Sequence, residues 1–160
     1  MTRLKLTPLK LTGAAVALLL STSGLWAQED PFADAVETRH GLMLQMASDL
    51  GKIGAMVKGE VPYDSAAAAK AAANVAAVAS VISLEQFPAG SEVGKSADSF
   101  AKAELWATPD DFLGKLADLN TAAATLVAGA GTDLDTAKAG LGMVGKACAA
   151  CHETYRQPEG

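Results

Sequence analysis

KACAACHETYR, residues Lys146–Arg156, holds both cysteines of the chain and one of its two histidines. Cys148, Cys151 and His152 stand at i, i+3 and i+4. At about 100° per residue they fall in one sector of a helix, one turn apart. Leu134, Leu141, Val144 and Tyr155 extend the same periodicity on either side. TDLD (Thr132–Asp135) resembles a capping box with aspartate in place of glutamate, so the helix is predicted to open at Thr132 and to stop near Pro158.

Three more helices are predicted upstream. TPDD (Thr108–Asp111) supplies an N-cap threonine, a proline at the first helical position and acid in the first turn. The helix it opens continues through Phe112, Leu113, Leu116, Leu119, Ala123 and Leu126 to the glycines at 129 and 131. Before it lies the longest connection, Phe87–Ala107; loops of this length are often functional or pack with their own side chains. Ser65–Gln86 is alanine-rich, with high helix propensity and with Val75, Val78 and Ile82 marking its buried face. KGEVPYD (Lys58–Asp64) separates it from a first helix over Pro31–Val57. There Asp30 is the expected N-cap, and Val36, His40, Met43, Ala47, Leu50, Gly54 and Val57 form the expected stripe. Four helices joined by two short links and one long one predict an all-α fold, an antiparallel up-down-up-down four-helix bundle.

The first residues read as a leader rather than as fold. Arg3, Lys5 and Lys10 precede the apolar run Leu11–Leu20, and Leu25–Ala27 offers a cut before Gln28. This is the layout of a secretory signal peptide over residues 1–27, and the run is shorter than the ~20 residues of a membrane span. A mature domain over residues 28–160 follows. Removing three of the thirteen basic residues and none of the eighteen acidic ones takes the net charge from −5 to −8. A chain this acidic without a basic cluster is a poor partner for nucleic acid or an anionic membrane.

Beyond the leader the only aromatic residues are Phe32, Tyr63, Phe87, Phe100, Trp106, Phe112 and Tyr155, a thin supply of large core groups. Two thiols and an imidazole on one helical face suit the attachment of haem. The thiols add to the porphyrin vinyl groups and the adjacent imidazole reaches the iron; C-x-x-C-H is a known attachment signature of c-type haem. A flat apolar macrocycle would also serve as the missing core. Gly140, Gly142 and Gly145, each costing about 1 kcal/mol in a helix relative to alanine, make sense where a helix or a ring approaches closely. Other chemistries compete for the same residues. A redox C-x-x-C normally sits at a helix N-terminus after a strand. An i, i+3 disulfide closes a very small loop. Zinc needs a fourth ligand, and His40 is the one other histidine.

The leader, the four helices, CAACHETYR, RHGLM (Arg39–Met43) and the FPAG…ELW segment (Phe87–Trp106) together resemble the cytochrome c prime family over essentially the whole mature chain. The resemblance implies one haem c per chain inside the bundle, bound through Cys148 and Cys151, with His152 as the iron ligand. It implies a five-coordinate, high-spin iron crowded by Met43, with Arg39 paired to a haem propionate. His40 takes a neighbouring haem-contact position, and Phe100 and Ala101 approach the ring edge. Arg156, at i+4 from His152, borders the proximal face, where the family can bind nitric oxide. The expected protein is a periplasmic homodimer formed through the first two helices. It binds nitric oxide or carbon monoxide and carries electrons to or from a protein that the sequence does not name; it is not an enzyme. If the Met43 sulfur bonds the iron instead, the protein is a six-coordinate, low-spin electron carrier. A peroxidase-like or nitric oxide-reducing enzyme would need polar distal groups, for which the first helix offers His40.

Overall fold

A computed structural model describes residues 30–158 as four long helices and two short helical turns. The leader at residues 1–27 lies outside the described residues. The helices are α1 (Ala33–Val57), α2 (Ser65–Val81), the single turn α3 (Glu104–Ala107), α4 (Pro109–Ala130) and α5 (Leu134–Tyr155). A 3-10 turn spans Leu84–Gln86. Helix α1 packs on α2, α2 on α4, α4 on α5, and α5 on α1, closing an antiparallel four-helix bundle. Among the described residues no helix is long and apolar enough to cross a membrane.

Local chemistry shifts several predicted boundaries. Asp30 does not cap α1; Phe32 stands at that position. The Asp30 carboxylate instead accepts from Phe32 N at 2.8 Å, Ser96 Oγ at 2.6 Å and Ala97 N at 2.7 Å, which ties the start of the domain to the long connection. Helix α2 is capped by Asp64 and ends at Val81, because Ile82 turns extended and Ser83 opens the 3-10 turn with its own capping box to Gln86. The N-cap of α5 is Asp133 rather than Thr132, and its carboxylate takes Thr136 N at 2.8 Å. Helix α5 stops at Tyr155, since Arg156 is extended and bridges to Ala101.

The buried stripe of α1 is Val36, Arg39, Met46, Asp49, Ile53 and Met56, rotated by about one residue from the predicted one. Two of its members are charged, which is why hydrophobic periodicity alone misplaces it. Asp49 is fully buried. It accepts from Gln45 Nε2 and Lys52 Nζ, each at 2.7 Å, and from Asn74 Nδ2 at 3.3 Å, joining α1 to α2. Helix α2 contributes Ala68, Ala71, Ala72, Val75 and Ala79 to the core, side chains small enough for close helix approach, while Val78 is only half-buried. His40 and Met43 are thereby left half-buried on the flank of α1, turned away from α2 toward α5 and a cavity.

Candidate functional site

The last turns of α5 form one wall of a cavity of about 490 Å³, enclosed by α1, α4, α5 and the long connection. Ala147, Cys148, Cys151 and His152 line that wall. Both cysteines are free and half-buried. Burial pushes the Cys148 thiol up and the Cys151 thiol up to about 11, so both are neutral thiols near pH 7. A redox dithiol works through a lowered pKa, so this environment tells against that reading. No disulfide joins the pair. Among the described residues no group of three or more His, Cys, Asp or Glu side chains converges on a metal position, and zinc loses its support. His152 is exposed as a residue, yet its ring borders the cavity. Burial of that ring, then the Arg156 charge, lowers its pKa and favours the neutral imidazole that ligates metals.

Apolar side chains face this wall. Met43, Met46 and Ala47 come from α1, and Phe112, Leu116 and Leu119 from α4. The long connection closes one end with Phe87, Phe100, Ala101 and Leu105. It is held there by backbone bonds from Lys102 N to Tyr155 O and from Gln157 N to Phe100 O. Arg156 lies over the Phe100 ring at 5.4 Å, and His40 stands 6.1 Å from the same ring. Cys148, Cys151, His152, Arg39, His40, Met43, Phe100, Ala101 and Arg156 therefore all border one space.

Arg39 is 4% exposed. Its terminal nitrogens donate to Gln86 O, Ser91 Oγ, Ser91 O and Ser99 Oγ at 2.6–3.2 Å, and the guanidinium sits 5.0 Å from the Phe87 ring centre. Those acceptors are neutral, and no carboxylate among the described residues pairs with it. Burial accordingly lowers its pKa. A buried cation at the border of an apolar cavity is costly unless an anion completes it.

Sequence reasoning missed the contribution of α4. Phe112, Leu116 and Leu119 read as core, and in sequence an apolar ligand wall and a helix–helix core carry the same periodicity. Lys115 also borders the cavity and reaches Asp111 Oδ2 at 3.6 Å. A lysine beside that stripe was the available signal.

A family model described as Cytochrome C′ matches residues 34–156. The chain belongs to the cytochrome c prime family. Cytochrome c-554 of Cereibacter sphaeroides is 52% identical over 124 residues, covering 78% of this chain and 81% of that one. Cytochrome c prime from Shewanella frigidimarina matches with a TM-score of 0.72 and 36% identity, over 79% of this chain and 97% of that structure. A nitric oxide complex of a leucine-to-isoleucine variant of cytochrome c prime from Alcaligenes xylosoxidans matches with a TM-score of 0.70 and 31% identity, over 79% and 97% of the two chains.

Membership in the cytochrome c prime family implies a covalent haem c, and the residues present fit one. Two neutral thiols lie one turn apart on the cavity wall with an imidazole beside them. Apolar surfaces stand opposite for a flat ring, and Arg39 awaits an acidic edge.

Proposed function

We propose that the cavity holds one haem c per chain, joined through Cys148 and Cys151, with His152 as its protein ligand. In this reading the chain is a periplasmic cytochrome that carries electrons and binds small diatomic gases, with no dedicated catalytic site. The observation that carries it is the meeting of two thiols, an imidazole and a carboxylate-free buried guanidinium on one apolar cavity. The leader at residues 1–27 supports export.

When bound, the haem supplies reversible one-electron chemistry and a coordination position for a small ligand. The protein's part is positional. Helix α5 holds the two thiols and the imidazole that would carry the haem on one rigid face. The α1 and α4 side chains exclude water from the opposite face. Arg39, held by four neutral acceptors, keeps its charge in place for a propionate. Met43 borders the cavity and would leave room there only for a small ligand able to displace its side chain. The nitric oxide complex of the Alcaligenes relative supports this open-site reading.

A second reading has the Met43 thioether bonded to the iron. Met43 borders the cavity, and methionine is a haem ligand in its own right. Self-association through α1 and α2 is part of the proposal. Leu44 is 71% exposed on α1, with the small residues Gly41, Ser48 and Gly51 on the same exposed face.

Expression in a host that matures c-type cytochromes tests the proposal. A red protein with the added mass of one haem and a high-spin reduced spectrum that responds to carbon monoxide is expected. A low-spin spectrum without response transfers the assignment to Met43 ligation, and a colourless chain with two free thiols overturns both readings.

A further inference from the structure

Tyr155 is one of only two tyrosines in the chain and stands one turn after His152 on the cavity wall. It is 3% exposed and meets Phe112 edge-on with ring centres 5.5 Å apart. Its hydroxyl lies 2.6 Å from Asp111 Oδ2 and 2.8 Å from Thr108 Oγ1. A carboxylate only accepts, so the single phenolic proton is committed to Asp111. The separation is that of a charge-assisted O–H···O⁻ bond. Burial, then the bond to Asp111, raises the Tyr155 pKa, while the bond from Tyr155 holds Asp111 low. Near pH 7 a protonated phenol therefore points at an ionised carboxylate that is itself exposed to solvent. Pinning α5 to α4 needs only the bond to Thr108. The carboxylate adds something a pin does not require, a proton acceptor already in line.

We propose that Tyr155 and Asp111 form a one-electron, one-proton donor site beside the haem; this rests on the haem reading above. As an electron leaves the phenol, its proton crosses from Oη to Asp111 Oδ2. A neutral phenoxyl radical and a neutral carboxyl remain, so no net charge is left unpaired at the buried ring. The oxidant is hydrogen peroxide meeting the ferrous protein. Its O–O bond breaks, it takes one electron from the iron and one from Tyr155, and with the one proton that Tyr155 releases through Asp111 it ends as one water and one hydroxide. The iron ends ferric, and Asp111 passes its proton to the solvent it faces. Tyr155 thus supplies the second electron that the porphyrin would otherwise lose.

The chain's composition makes the test clean, because Tyr63 is the other tyrosine and Trp106 the single tryptophan beyond the leader. The haem-loaded, reduced full chain is mixed with equimolar peroxide, frozen and examined by electron paramagnetic resonance. A phenoxyl signal is expected in the wild type. It should persist in Tyr63→Phe, whose hydroxyl bonds Ala130 O away from the site. It should be lost in Tyr155→Phe, which keeps the ring packing, and in Asp111→Asn, which keeps the phenol but cannot take its proton. Faster haem bleaching in Tyr155→Phe is the second expected readout. A signal that survives Tyr155→Phe, a radical on Tyr63 or Trp106, or a coloured wild type with no phenoxyl signal overturns the inference and leaves the haem reading standing. A colourless chain overturns the haem reading, and this inference with it.

Discussion

Gly140 of α5 lies against Leu126 of α4 so closely that a methyl group on the glycine would sit 2.8 Å from Leu126 Cα and 3.0 Å from its Cδ1. The two helices meet backbone to backbone there, in the half of α5 that precedes the cysteines. Gly142 and Gly145 have nothing within 4 Å of such a methyl. Close approach of a neighbouring helix is therefore found at Gly140 and not at Gly142 or Gly145.

We predict opposite signs for the same substitution along α5. Gly140→Ala should destabilise by about 1–3 kcal/mol, because overpacking against a backbone atom exceeds the gain in helix propensity. Gly142→Ala and Gly145→Ala should each stabilise by up to about 1 kcal/mol. Urea midpoints of the three variants decide the matter; equal shifts would contradict the packing account.

Arg39→Gln should loosen the long connection. The substitution removes donors to Gln86 O, Ser91 Oγ, Ser91 O and Ser99 Oγ, and each buried acceptor left without a partner costs about 1–3 kcal/mol. Hydrogen exchange should accelerate across residues 86–101 with little change in α2. Uniform acceleration throughout the bundle would count against a local clamp.

Asp49 should make the α1–α2 contact acid-labile. Its hydrogen bond with Lys52 leads the causes that hold its pKa below 3.8. A depressed folded-state pKa contributes stability that is fully present above the unfolded value and is lost as pH falls through the folded one. Stability should therefore fall below about pH 4, and Asp49→Asn should flatten that part of the profile. Asp49→Ala leaves Asn74 and Gln45 without this partner and should cost about 1–3 kcal/mol at pH 7, read from denaturation midpoints.

Met43→Ala should open the cavity wall facing α5. Under the open-site reading of the haem-loaded chain, carbon monoxide association should rise by about tenfold or more, equivalent to roughly 1.4 kcal/mol off the entry barrier. Stopped-flow mixing measures it, and an unchanged rate would remove Met43 from the gate.

Much of this was legible beforehand. The starts and stops of four helices came from caps, prolines and a 3.6-residue period, local signals that act over a few residues; Val57, Ser65 and Pro109 are bounds as predicted, and α2 ends at Val81 instead of Gln86. The spacing of Cys148, Cys151 and His152 put two thiols and an imidazole on one helical face, and all three border the cavity. Thr108 shows where such reading fails. It stands at the N-cap of α4 as expected, but its hydroxyl serves Glu104 O at 3.0 Å and Tyr155 Oη rather than the helix. A cap signal records what a residue can do locally, and a distant partner took the hydroxyl instead.

The sequence alone determined the helices, their order and the face that carries two thiols and an imidazole, since each depends on contacts within a turn or two. Only the tertiary structure decided that Arg39 and Asp49 lie on the buried side of α1, that the core residues Phe112, Leu116 and Leu119 also wall a cavity, and that Tyr155 finds Asp111. Those outcomes turn on how helices rotate and close against one another. That rotation is set by the summed packing of all four, which no single segment encodes.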